Sequence, residues 1–567
     1  MSIGSIDQKR VQSLFRHDFW FYLLFAFSCV LNLVTTYYVT HFISDSDAAG
    51  TLLFAHHLSQ KGALLSSEWF YSTEITLLGT HLIYSPLFLL FKDWQTVRFI
   101  GTLILQMILL LSFRMLCSAV SFPKRARFLG YSLLILPFSM AYGRLVLYHT
   151  FYIFCLAISF ALIALVFQCN QDFRLHRSTK QKILHLVLIA LLALACGISG
   201  IRQLGITLLP LLLAIGVMLY QADWSQPPEL RRLLVFLPSI ATLILATLLG
   251  LACNGFLSSV FVFPNYGHSN TAVSVFSQLA MVAAGFFHHF GFRQNAMPYL
   301  PYQIMEVIGI SAIVVFTVLS FVTLIKRNQR IPLESEALQH LYPCGLLVAA
   351  VPFFFLSSIS NYVSYFLFYI IWLIPLLLLI LYTDRSYSRL LDRLQRISAI
   401  AMVMVMLANS LINSAYFINY EHMPFQDYAG LGDWNISSAK TTSRICDQLL
   451  SEGYDLGYCT YWQSNIMTDV TDGQLKTVTI DAANEQDGFV YCDWLTPKSH
   501  RQILPEKPFI LMEPRYREVM EASPLAAHCQ LIMETPSILI YAPDDPLLMK
   551  NHLDGQGYSI RYDDVGT

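Results

Sequence analysis

An α-helical polytopic membrane protein of about eleven spans, followed by a small C-terminal extracytoplasmic α/β domain, is the fold class this sequence predicts. Three observations point to it. The 567 residues are 55% hydrophobic and only 13% charged, with a mean hydropathy of +0.52, too apolar for a soluble globule whose apolar stretches alternate with polar faces. Apolar runs recur at spanning length, the first of them residues 19–40 (FWFYLLFAFSCVLNLVTTYYVT), uncharged and able to cross roughly 30 Å of hydrocarbon as a helix. Beyond residue 418 the charges return. The net charge of −1 implies no nucleic-acid partner and hides a sharp asymmetry between the two sides of the membrane.

In chain order the expected spans lie near 19–40, 96–118, 127–143, 145–168, 183–200, 203–220, 232–253, 303–325, 340–358, 361–383 and 397–418. The first lacks a small-residue cleavage site and is longer than a signal-peptide core, so it reads as an uncleaved anchor. The stretch 75–92 (ITLLGTHLIYSPLFLLFK) is long enough to compete but contains His81, Tyr84, Ser85 and Pro86. Charge decides against it. Without that crossing, the inner loops carry nineteen cations, among them Lys124, Arg125, Arg177 and Arg389. The outer loops up to residue 418 then carry only Lys61, Lys92, Arg98, Arg144, Arg202 and Arg293, as the positive-inside rule requires. The stretch 75–92 is therefore expected as a re-entrant or surface-lying helix within a large first outer loop, 41–95. The N-terminus falls on the cytoplasmic side of the cell membrane.

The chain divides into a membrane domain, 1–418, and an outer α/β domain, 419–567. In the latter, 455–459, 476–481, 508–512 and 537–542 read as strands between helices at 438–452, 461–470 and 514–522. About 150 residues suffice to bury a core. Most of the eleven cysteines fall in spans, where Cys acts as a small hydrophobe. Cys446, Cys459, Cys492 and Cys529 lie in the outer domain as disulfide candidates, with no metal or redox spacing. No CxxC, phosphate-cradling Gly-rich loop, GxSxG or HExxH occurs, which sets aside the commoner soluble chemistries.

The informative letters follow the first span: Ser44-Asp45-Ser46-Asp47, then a helical stretch ending at Gly62, then Glu68, Trp69, Glu74 and Tyr84-Ser85-Pro86. With acid just past a first span, a small-residue helix end some fifteen positions on and a Pro/Tyr juxtamembrane helix, the chain resembles the GT-C superfamily of membrane glycosyltransferases. Its nearest likeness there is the branch holding protein O-mannosyltransferases and the lipid A aminoarabinose transferase. The likeness is one of layout. It departs where relatives often carry a second acid between the third and fourth spans, because Arg144 and His149 stand there instead.

The resemblance implies an enzyme that takes a sugar from a polyprenyl-phosphate-linked donor and gives it to a glycan, lipid or protein acceptor, among membrane lipids. Such a transfer needs a base for the acceptor hydroxyl, for which Asp47 is the first candidate and Asp45 the second. It also needs cations for the departing phosphate, for which Arg144, Arg202 and Arg293 are the sparse outer choices. With no second carboxylate required as nucleophile, the expected course is inversion. His149, Glu74, Trp69 and Tyr84 complete the expected substrate-binding set. The letters specify no cofactor; a divalent cation is possible, although the missing second acid weakens a two-carboxylate metal site.

Each letter also has a plainer reading. Ser44 and Asp45 are good N-caps and Asp47 suits a first turn, so the motif also starts a helix at 48–60. Glu68 and Glu74 read equally as solvated loop charges, and His81 as a structural histidine. Two rival classes stand beside the enzyme. One is a lipid-linked-sugar transporter or flippase, disfavoured by the few ionisable groups in mid-span and the absence of broken repeats. The other is a non-catalytic scaffold presenting the outer domain.

Overall fold

The computed structural model describes residues 4–72, 74–222, 233–261, 286–287, 300–325, 332–355, 372–383, 389–419, 437–484 and 488–560. Helix α1 (Gly4–Phe42) leads through strand β1 (Ile43–Ser44), helix α2 (Ser46–Lys61), strand β2 (Trp69–Phe70) and helix α3 (His81–Phe88) into α4 (Trp94–Ala119). Then come α5 (Lys124–Ile135), α6 (Met140–Gly143), α7 (Phe151–Arg174), α8 (Thr179–Ser199) and α9 (Leu209–Tyr220). The helical part closes with α10 (Leu237–Leu257), α11 (Leu300–Ile325), α12 (Leu333–Phe355), α13 (Trp372–Tyr382) and α14 (Arg389–Ile418).

Among the described residues, seven helices are long and apolar enough to cross a membrane, lying in α1, α4, α7, α8, α10, α11 and α14. The other four expected spans take different forms. The run 127–143 is broken, because Leu136 is extended (φ −92°, ψ 141°) ahead of Pro137, and a residue before proline is pushed out of the helical region. Residues 204–220 form a shorter apolar helix, α12 begins earlier than expected and buries Glu334 and Glu336, and 361–383 is described only at α13. The expected amphipathic helix 272–292 lies outside the described residues, Phe286 and Phe287 excepted.

The stretch 75–92 is not one continuous helix. Only the eight residues of α3 are helical, with Pro86 inside, and α3 lies on α2, where Ser85 Oγ donates to the Ala55 carbonyl at 2.9 Å. Helices α8 and α10 meet without side chains between them. A Cβ on Gly197 would sit 2.3 Å from the Thr247 carbonyl oxygen, and one on Gly250 2.3 Å from that of Leu194, the close approach that small residues permit in membrane helices.

The C-terminal part is a seven-stranded mixed sheet in the order β11-β6-β5-β4-β8-β10-β9. The four predicted strands are present as β4 (Leu456–Thr460), β5 (Lys476–Asn484), β8 (Pro508–Met512) and β10 (Leu539–Pro543), with β4 parallel to both β5 and β8. The additional strands are β6 (Gly488–Cys492), β9 (Cys529–Glu534) and β11 (Ser559–Ile560). Helices α15 (Ala439–Ser451) and α16 (Tyr461–Val470), with the turn and helix α17 (Arg517–Ala522) over 514–522, also match the sequence reading, and α18 (Leu548–Gln556) is new. The central strands are buried on both faces: Leu456, Tyr458 and Ile510 pack on one side, Cys459, Phe509 and Leu511 on the other. The cysteines are free, the disulfide candidates Cys446, Cys459, Cys492 and Cys529 included. Cys446, Cys459 and Cys492 serve instead as buried apolar filler.

This sheet domain is joined to the segment after α1 at several points. β1 pairs with β3 (Ser437–Ser438) and β2 with β7 (Thr496–Pro497). Arg98 near the start of α4 makes a buried ion pair with Asp469 of α16, and Trp94 N donates to Asp472 Oδ1 at 2.9 Å.

Candidate active site

Helix α2 starts where the sequence says it should. Asp45 is extended (φ −149°, ψ 141°), and its Oδ1 accepts from the backbone N–H of Asp47 at 2.9 Å and of Ala48 at 3.2 Å, the pattern of an N-cap. The far end stops at Gly62, whose φ of +61° costs a glycine little.

The cap is also the centre of a charge cluster. Arg144 Nη2 lies 3.0 Å from Asp45 Oδ2 and His149 Nε2 lies 2.6 Å from Asp45 Oδ1. Both side chains come from one wide turn: after α6 the backbone over Arg144–Tyr148 is a π-helical turn, closed by His149 N donating to the Arg144 carbonyl at 2.8 Å. Such turns present side chains at an angle an α-helix does not, and they cluster at functional sites. An ionised Asp45 can only accept, so at 2.6 Å the partner Nε2 of His149 is the donor, whether the ring is neutral or charged.

Asp45 is fully buried; Asp47, on the first turn of α2, keeps partial exposure. Burial pushes the Asp45 pKa up, but the His149 and Arg144 charges outweigh it and hold the carboxyl well below the usual range. Asp47 goes the other way. Burial first, and then the neighbouring Asp45 charge, raise its pKa against the opposing effects of His149, the Tyr461 hydroxyl and Arg144. Tyr461, the first residue of α16, donates its hydroxyl to Asp47 Oδ1. The sequence analysis missed Tyr461, whose partner lies more than 400 residues away.

The remaining expected residues sort by place. Arg202 is next to the cluster, its guanidinium over the rings of Phe151 at 5.6 Å and Tyr152 at 5.7 Å, while Tyr152 stacks 6.5 Å from His149. Glu74 Oε2 faces Arg202 Nε at 3.1 Å, so Glu74 is an ion-pair partner and not a solvated loop charge. Tyr84 is buried behind the cluster, its hydroxyl 2.6 Å from Thr150 Oγ1. Trp69 is 1% exposed, packed against Phe54 and His57 within the β2–β7 pairing, so its ring offers no open face for stacking a sugar. Glu68 pairs with Lys61 at the surface, and Arg293 lies outside the described residues.

Oxygens of Asp45 and Asp47 and a ring nitrogen of His149 lie within 4.8 Å of one another, a span a divalent cation could bridge. The donor set does not fit one. Asp45 Oδ1 already takes three donors and Oδ2 faces a guanidinium. A bridging cation would have to strip the His149 proton and displace Arg144.

Fold and cluster together define a helical multi-span membrane protein with an ion-paired carboxylate site beneath a C-terminal sheet domain. No protein-family model matches the chain, and no curated protein matches it in sequence. Solved structures similar to it include ArnT from Cupriavidus metallidurans bound to undecaprenyl phosphate, at 14% identity and a TM-score of 0.46, covering 92% of this chain and 98% of that one. Another is the archaeal oligosaccharyltransferase AglB from Archaeoglobus fulgidus in complex with an inhibitory peptide and a dolichol-phosphate (9% identity, TM-score 0.47, 90% and 71% covered). A third is the arabinofuranosyltransferase AftD from Mycobacteria (12% identity, TM-score 0.39, 92% and 41% covered).

Proposed function

We propose that the protein is a membrane glycosyltransferase that moves a hexosyl or pentosyl group from a polyprenyl-phosphate donor to an acceptor hydroxyl at the outer membrane face, with Asp47 as general base. One observation carries this: two adjacent carboxylates in unlike surroundings, Asp45 buried among Arg144, His149 and two backbone N–H groups and Asp47 partly exposed and bound at one oxygen by Tyr461, a contrast that pushes their proton affinities in opposite directions. Asp45, capped and cation-paired, stays ionised and holds the architecture. Asp47, raised and partly exposed, is the one suited to take a proton.

In the step that follows, the acceptor oxygen forms a bond to the anomeric carbon as its proton passes to Asp47. The bond from that carbon to the phosphate oxygen breaks, and polyprenyl phosphate leaves as an anion. A single displacement inverts the anomeric centre. Arg144, which lies against Asp45, and Arg202, over the Phe151 and Tyr152 rings, are the cations assigned in this reading to the leaving phosphate. The charge distribution, nineteen inner cations against six outer ones, supports a cytoplasmic N-terminus and an outward-facing sheet domain in the cell membrane.

The test uses purified full-length protein in nanodiscs with a radiolabelled polyprenyl-phosphate hexose or pentose and a panel of glycan, lipid and peptide acceptors. Transfer with release of polyprenyl phosphate by wild type, lost in Asp47→Asn at unchanged melting temperature, is the expected result. Movement of intact donor across the bilayer without cleavage would replace the enzyme by a flippase.

A further inference from the structure

Helix α16 is fixed at both ends to the membrane part of the chain. At its C-terminal end Asp469, 2% exposed, pairs with Arg98, 6% exposed. At its start Ser46 Oγ donates to the Tyr461 carbonyl at 2.6 Å, and Asn465 Nδ2 reaches the carbonyls of Leu495 at 3.2 Å and Ser46 at 3.4 Å. Tyr461 itself is 1% exposed and follows directly on β4, the central strand, so the carboxyl end of the sheet is what meets α2. In sheets with parallel strands that end is where chemistry gathers.

An aspartate on the first turn of a helix turns freely about its side-chain bonds unless a partner holds one oxygen. Here Oδ1 is held by the Tyr461 hydroxyl, and among the described residues no donor takes Oδ2, so Oδ2 is left to face an acceptor. We infer that Tyr461 is a positioning residue for Asp47, so that the site is complete only where the sheet domain is docked; this rests on the glycosyl-transfer reading above. The sheet domain is then a working part of the site and not only a platform for the acceptor.

The experiment compares full-length wild type, Tyr461→Phe and Asn465→Ala in nanodiscs, with a polyprenyl-phosphate sugar as donor. Phe keeps the buried ring and removes only the hydroxyl, so kcat should fall about tenfold, the order of one hydrogen bond to a charged group. Acceptor KM, donor affinity and melting temperature should stay within twofold or a degree or two of wild type. Asn465→Ala loosens the same helix without touching Asp47, and should lower the melting temperature while sparing kcat. Wild-type kcat in Tyr461→Phe would overturn the positioning role, as would a loss of kcat accompanied by a fall in melting temperature as large as that of Asn465→Ala. If wild type itself transfers nothing to any acceptor, the failure lies with the proposed reaction and not with Tyr461.

Discussion

Helix α7 separates two clusters of the same composition. Ahead of its first turn, Asp45 is bound by Arg144 at 3.0 Å and His149 at 2.6 Å; in its last turn, Asp172 is bound by Arg177 at 3.1 Å and His185 at 2.7 Å. Both aspartates are wholly buried, and the two clusters lie roughly 35 Å apart along the helix. The cations differ in solvation. Arg144 is 15% exposed and His149 4%, against 47% and 19% for Arg177 and His185. The larger difference is a neighbour: Asp45 has beside it a second carboxylate, Asp47, pushed up in pKa and held by the Tyr461 hydroxyl, whereas the acid near Asp172, Glu334, is bound by Asn170 and Arg174. An Asp–Arg–His group alone ties helices together. What turns one into a candidate site is an additional group whose proton is cheap to move.

The largest break in the comparison is Asp47→Asn, which removes that group and keeps its shape. Transfer should fall by about 10² to 10⁴, the usual worth of a general base, while expression and melting temperature stay near wild type. Next come the two arginines, changed alike. Arg144→Gln leaves a buried carboxylate short of its cation, which costs about 3–5 kcal/mol where a buried pair is broken, and should weaken binding of the lipid-phosphate donor as well. Lys should restore it only partly, lacking the planar fork. Arg177→Gln removes a half-exposed cation whose place water can take on Asp172, so it should cost less than Arg144→Gln and leave transfer unchanged. Chemical denaturation and donor-binding isotherms on both variants read these effects directly.

A pH profile sharpens the same contrast. The base must be ionised, so kcat/KM should fall as pH drops through the Asp47 pKa, and this limb should lie above the ordinary carboxylate value because burial and Asp45 raise it. Tyr461→Phe removes an effect that lowers it, and should move the limb further up. A limb below the ordinary value would remove Asp47 as the base. The smallest effect on chemistry belongs to Asp172→Asn, which should loosen α7 against α8 and lower the melting temperature while transfer stays within twofold of wild type.

Much of this was legible in the letters. Ser44-Asp45-Ser46-Asp47 after an apolar run announces a capped helix with acid at its start, and Arg144, His149 and Arg202 stand out as cations in a chain that has few. The strands and helices of the sheet domain follow from period and turn residues. What was not legible depends on pairing at a distance. Tyr461 meets Asp47 because a strand more than 400 residues on ends there. Trp69 is covered because β2 finds β7, and Glu74 is neutralised because α8 ends beside it. The broken run 127–143 had a local signal in Leu136-Pro137, outweighed by hydropathy.

The glycine contact between α8 and α10 reaches further than its position suggests. Because backbone touches backbone at Gly197 and Gly250, no layer of side chains can yield there, and Asn254 Nδ2 adds a bolt to the Ile198 carbonyl at 2.8 Å. Two residues after Gly197, Ser199 Oγ accepts the N–H groups of Leu77 and Leu78 at 3.1 and 3.4 Å, and Gly200 lies against Glu74. The two helices thus act as a rigid post, and the far rim of the segment that carries Asp45 and Asp47 hangs from its top. Where residues 74–78 sit is thereby set by a joint among the apolar helices.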